Sequence, residues 1–150
     1  MVNSGGGTIE IARSFRDLNT YKKAREGARR IFAVSRTFPK DEKFSLTDQI
    51  RRSSRAVGAI LAEAWARRRY KGAFLNKLDE SLGEAMETQA WLDHALDCKY
   101  ITIEQFQELD FLWQQVGEML TNMMSRADDF CKNAPDHPYV REDGVEYDTP

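Results

Sequence analysis

Apolar side chains recur at intervals of three and four residues along most of the chain, a period that predicts amphipathic α-helices. Leu18, Tyr21, Ala24, Ala28, Ile31, Phe32, Ser35 and Phe38 fall on one face of a first helix. Ser14-x-x-Asp17 ahead of them reads as a capping box, and Pro39 disfavours helical geometry at Phe38, so this helix is expected over residues 14–38. A second box, Ser45-x-x-Asp48, opens a helix whose core stripe is Leu46, Ile50, Ser53, Val57, Leu61 and Ala64. The third helix is expected over residues 71–98, with Phe74, Leu78, Leu82, Ala85, Gln89, Leu92 and Leu96 inward and Glu80, Glu84 and Glu87 outward. A third box, Thr102-x-x-Gln105, opens the fourth. Its apolar arc is wide: Phe106, Leu109, Leu112, Trp113, Val116, Met119, Leu120, Met123, Met124, Ala127 and Phe130. Such an arc exceeds what the seam of a monomeric bundle needs and points to self-association, although burial within the core accounts for it more simply.

Short connections between long helices predict an all-α fold, an antiparallel up-down-up-down four-helix bundle with a disordered acidic C-terminal tail. The expected organisation is a flexible N-terminal arm at 1–13, the bundle at 14–131 and the tail at 132–150, where Pro, Gly and acidic residues lack apolar periodicity. The outer side of the second helix departs from the usual pattern of long polar side chains. Gly58, Ala59, Ala62 and Ala66, with Trp65 beside them, form a small-residue strip that would let another helix or subunit come close. Alanine is also simply a good helix former.

Composition changes this picture little. With 41% hydrophobic residues, 31% charged, 4 Pro and 9 Gly in 150 residues, the chain suits one helical domain. No run approaches the roughly 18 apolar residues of a membrane span, and the Gly-rich start lacks a signal-peptide layout. Cys98 and Cys131 have neither metal-ligand nor redox-motif spacing, which points to reduced thiols in a cytoplasmic protein.

Charge changes it more. Residues 13–77 carry 18 Lys and Arg against 6 Asp and Glu, a net of +12, whereas residues 78–150 carry 4 against 17, a net of −13. That asymmetry suits a nucleic-acid partner, or basic helices pairing with acidic ones within a bundle or between subunits. The candidate nucleic-acid-binding set on the second helix and its exit is Arg51, Arg52, Arg55, Arg67, Arg68, Arg69 and Lys71; the first helix adds Lys22, Lys23, Arg25, Arg29, Arg30 and Arg36. Guanidinium forks suit phosphate oxygens, and Trp65 and Tyr70 lie nearby as stacking surfaces. A charge run is more often a solvated or salt-bridged face, so a structural role competes.

Enzyme chemistry is not expected. A di-iron bundle needs Glu-x-x-His on two helices, but the histidines are His94, preceded three positions earlier by Trp91, and His137 in the tail. Neither joins a nucleophile on rigid elements. Gly5-Gly6-Gly7 lies in the arm and not between a strand and a helix, so it cradles no phosphate. The Glu80, Glu84, Glu87 row could hold a cation but reads first as a solvated face. No metal and no cofactor is implied.

Several stretches, in order, carry a family resemblance. They are Phe15-Arg16-Asp17-Leu18 with Tyr21 and Ala24, then Phe38-Pro39 and Glu42, then Leu46-Thr47-Asp48-Gln49-Ile50-Arg51-Arg52-Ser53-Ser54 through Val57 to Leu61-Ala62-Glu63. Phe74, Leu78, Ser81-Leu82-Gly83-Glu84-Ala85, Glu87, Trp91-Leu92 and Tyr100-Ile101 complete the set. Over residues 14–130 the chain resembles the four helix bundle protein family, also called the S23 or ribosomal-RNA intervening-sequence protein family. The resemblance implies a homo-oligomer, a ring-like pentamer. It also implies a setting within ribosomal RNA genes or retroelements, with RNA or DNA, a reverse transcriptase or a ribosomal component as partners. The chain departs from the family where the second helix usually reads Asn-Ile-Ala-Glu-Gly; here it is Ile60-Leu61-Ala62-Glu63-Ala64. The expected function is therefore a non-catalytic accessory protein that engages nucleic acid, or a partner handling it, through a basic face. The alternative is a protein-interaction scaffold whose basic and acidic faces pair between subunits.

Overall fold

A computed structural model describes residues 12–136. The expectations for the N-terminal arm before residue 12, and for His137 and the tail beyond it, lie outside these residues. Among the described residues there are four long helices and no strand: α1 (Asn19–Ser35), α2 (Asp48–Ala66), α3 (Lys71–Asp97) and α4 (Ile103–Ser125), followed by a short α5 (Ala127–Cys131). No helix is long and apolar enough to cross a membrane.

The ends of the helices separate the three expected capping boxes. At Thr102 the box forms as read: Thr102 Oγ1 accepts from the Gln105 amide at 3.1 Å, and Gln105 Oε1 accepts from the Thr102 amide at 2.9 Å. The Ser14–Asp17 box also forms, but it closes a 3₁₀ turn, Phe15–Asp17, and not α1 itself. Leu18 then takes an extended conformation that turns its fully buried side chain into the core, and α1 begins after it. The Ser45 box does not form. The backbone is already helical there as a π turn, Lys43–Thr47, so the amides a cap would serve are not orphaned. Ser45 Oγ instead donates to Glu42 Oε1 at 2.6 Å. Tyr100 donates its hydroxyl to Glu42 Oε2 at 2.8 Å, so this carboxylate ties the α1–α2 connection to the α3–α4 connection. The two hydroxyls hold the Glu42 carboxyl below its ordinary range, and the same bond pushes Tyr100 up to about 12.

Each helix lies beside its neighbours in sequence, and α4 closes on α1. Tyr21 near the start of α1 meets Gly58 on the second half of α2, while Ser35 at the end of α1 meets Arg51 at the start of α2, so α2 runs back along α1. The α2–α3 seam carries buried hydroxyls: Ser53 Oγ and Thr88 Oγ1 share a hydrogen bond of 2.8 Å, and Ser81 Oγ donates to the Val57 carbonyl at 2.8 Å. α1 and α4 approach tightly at Gly27, where a Cβ would lie 2.6 Å from Leu112 Cδ2 and 2.7 Å from Trp113 Cζ2.

The core contains the expected stripe of α2 and most of the apolar arc of α4. Leu109, Leu112, Trp113, Val116, Leu120 and Met123 are buried between α1 and α3, so the width of that arc is used within the chain and does not by itself require a second subunit. α4 also stops sooner than its periodicity suggests. Arg126 leaves helical geometry, and α5 swings Phe130 to 6.0 Å from Phe74, ring centre to ring centre.

Candidate nucleic-acid interface

Phe32 is the residue where pattern and structure part most usefully. Its spacing places it on the inner face of α1, yet Ile31 is fully buried and Phe32 is 39% exposed. Adjacent positions on a helix differ by about 100°, and Ile31 occupies the core-facing side. Around the outward ring three guanidinium groups gather from two helices. The Arg51 guanidinium carbon is 4.7 Å from the ring centre, that of Arg55 5.5 Å and that of Arg36 5.9 Å. Arg51 and Arg55 are one turn apart on α2, and Arg36 caps the end of α1. Arg51 is fixed further by donating from Nε to Ser35 Oγ at 2.8 Å.

Among the described residues none of these three arginines has a carboxylate within 4 Å. Like charges one turn apart repel by a few tenths of a kcal/mol. A ring face attracts a guanidinium by about 0.5–1 kcal/mol at exposed sites, enough to hold the cluster together without neutralising it. The result is three undischarged positive groups bordering a partly open aromatic surface.

The rest of the basic set divides. Arg52, next in sequence to Arg51, is rotated toward α3, where it donates to both carboxylate oxygens of Glu84 at 3.3 and 3.1 Å and also to Glu87. Donating to Glu84 raises the pKa of Arg52. Glu84 and Glu87 are thus half-buried partners of α2 and not a free acidic face. Lys71 pairs with Asp128 of α5 at 2.7 Å and Arg30 with Glu26 at 2.9 Å. Arg68 lies 3.5 Å over the Trp65 ring and donates to the Trp65 carbonyl at 3.0 Å; burial there pushes its pKa down. Arg69 lies 4.9 Å from the Tyr70 ring, and Arg67 is exposed. Lys22 and Arg29 are exposed and Lys23 half-buried on α1, none of them ion-paired among the described residues. The sequence thus names Arg51 and Arg55 but groups them with Arg52, Arg68 and Lys71, which the fold engages elsewhere.

The small-residue strip divides as well. Gly58 is buried against the Tyr21 ring, which a Cβ would approach to 3.3 Å, so it serves the α1–α2 contact within the chain. Trp65 is half-buried beneath Arg68, whereas Ala59 and Ala66 are exposed and Ala62 is half-buried. Among the described residues no group of three or more His, Cys, Asp or Glu side chains could hold a metal ion.

Comparison with known proteins adds two findings. Residues 16–122 match the model of a family described as 23S rRNA-intervening sequence protein. That span contains Phe32, Arg36, Arg51 and Arg55 and ends before α5. The fold is also similar to the crystal structure of a protein with unknown function from the S23 ribosomal protein family of Bacteroides thetaiotaomicron VPI-5482, with a TM-score of 0.64 and 30% sequence identity. The match covers 70% of this chain and 97% of that one. No curated protein matches.

Proposed function

Because the chain belongs to the 23S rRNA-intervening sequence protein family, we propose that it is a non-catalytic accessory protein that binds nucleic acid through the face built on Phe32, Arg36, Arg51 and Arg55. It acts in the cytoplasm as an up-down-up-down helical bundle joined to copies of itself, a pentamer by its resemblance. The observation that carries the binding reading is the gathering of three guanidinium groups from two helices around one exposed ring, with no carboxylate partner among the described residues. Recognition is electrostatic positioning on phosphates, without base-edge readout. The nucleic acid arrives as free RNA or within a partner such as a reverse-transcriptase or ribosomal complex.

A second reading, a scaffold whose basic and acidic faces meet between subunits, draws on Arg52 and Lys71, which do pair with acids of the second half of the chain. Titration of a structured RNA across salt concentrations separates the two. With Arg51 and Arg55 both changed to Gln, the slope of log affinity against log salt should fall by about 1.4–1.8, at about 0.7–0.9 per lost phosphate contact. Arg52→Gln should leave that slope unchanged. Negligible affinity at low salt, or equal slopes in all three proteins, would sink the nucleic-acid reading and leave the scaffold.

A further inference from the structure

We propose that the Phe32 ring is a base-stacking platform that makes this site selective for single-stranded over duplex nucleic acid; the inference rests on the phosphate-binding reading of the same face. Phosphate attraction alone does not discriminate strands strongly, because both forms carry the charge that guanidinium groups seek. An open aromatic face does discriminate. In a duplex the base faces are already stacked on one another, whereas a single strand can turn a base outward onto a ring. Phe32 has the required geometry: 39% of the residue stays open although three guanidinium carbons lie within 6 Å of its ring centre, at 4.7, 5.5 and 5.9 Å. A base seated on the open part of the ring would have its flanking phosphates within the reach of long, flexible arginine side chains. Guanidinium planes are themselves stacking surfaces that a base beside the ring can share.

Ile31 fills the core position beside Phe32, and three arginines gather at the Phe32 ring. A phenylalanine that served only to hold those arginines would act equally on every phosphate ligand. The two roles are thus separable by ligand and by substitution.

The test uses the full chain, a mixed-sequence RNA strand of about 12 nucleotides, within the range of single-strand binding sites, and a blunt RNA duplex of the same length. Phe32→Leu keeps an apolar side chain but removes the π-face; Phe32→Tyr keeps the ring. The expected result is an approximately tenfold loss of single-strand affinity in Phe32→Leu with a clearly smaller loss on the duplex, and full retention of both in Phe32→Tyr. Equal losses on strand and duplex would overturn the platform and make Phe32 a holder of arginines. Indifference of both ligands to Phe32→Leu would overturn it too. In either case a binding response to the Arg51 and Arg55 substitutions keeps the phosphate site itself, whereas absent binding of both ligands by the unaltered protein removes the site and the platform together.

Discussion

Alanine at Gly27 should destabilise the protein, although alanine is the better helix former. A Cβ there would stand 2.6 Å from Leu112 Cδ2 and 2.7 Å from Trp113 Cζ2, against an ordinary carbon–carbon separation of about 3.5–4.0 Å. The neighbours must therefore retreat by about 1 Å. Leu112 can swing a terminal methyl aside, but the Trp113 indole is rigid and wholly buried, so relief there requires α4 to draw back from α1. Overpacking of this kind costs about 1–3 kcal/mol. Removing a mid-helix glycine returns about 0.8–1 kcal/mol. The expected net loss is about 0–2 kcal/mol. Gly83 on α3 supplies the control, since nothing lies within 4 Å of its would-be Cβ. Gly83→Ala should therefore show the propensity gain alone, up to about 1 kcal/mol of stabilisation. Urea unfolding followed by circular dichroism would measure both, at one fixed protein concentration because self-association stabilises by mass action. The midpoints should move in opposite directions with unchanged m-values. A Gly27→Ala protein stabilised as much as Gly83→Ala would refute the close approach of α1 and α4.

Two further outcomes are expected. Ser81→Ala removes a fully buried hydroxyl that donates to the Val57 carbonyl at 2.8 Å and should cost about 1 kcal/mol in the same urea assay; no change would mean that the seam is held by its apolar contacts alone. The Tyr100–Glu42 bond should titrate at both ends of the pH scale. With the Glu42 carboxyl held low, its contribution to stability is present above the ordinary carboxylate range and fades as pH falls through its lowered value. With Tyr100 pushed up to about 12, the contribution is complete below the ordinary tyrosine value of 10.0, declines above it and is gone as pH rises through about 12. Phenolate absorbance, taken as the difference between the unaltered protein and Tyr100→Phe, checks this; ionisation at the ordinary 10.0 would contradict the bond.

The helices were legible in the sequence because their cores obey one period. Ile50, Ser53, Val57, Leu61 and Ala64 are buried as their spacing requires, and the Thr102 box caps α4. What escaped the pattern has physical causes. Gly27 has no apolar side chain to register in a periodicity, yet its lack of one is what lets Trp113 approach. Ser45-x-x-Asp48 satisfies the capping pattern, but a π turn had already brought the backbone into helical form. At the site, Arg51 and Arg55 could be named from their clustering. Their separation from Arg52 depends on the rotation between adjacent helical positions and on where Glu84 lies across the seam. Phe32 was visible as a residue but not as the centre of the cluster, since the arginines around it come from two helices that only the tertiary fold brings together.

Hydrocarbon surfaces can slide along one another with modest loss, since one methyl group serves much like the next. Hydroxyls that meet one named partner cannot. Shifting α3 along α2 by one turn, about 5.4 Å, would part Ser53 from Thr88 and Ser81 from Val57. Ser53 and Thr88 would fall back on the Ile50 and Glu84 carbonyls of their own helices, but Ser81 would lose its acceptor, and a buried polar group left unsatisfied costs about 1–3 kcal/mol. The middle pair of helices is therefore locked in register, like a ratchet with its tooth engaged. Arg51 and Arg55 are mounted on that strut and hold their spacing. Arg36, at the end of α1, is mounted outside that strut.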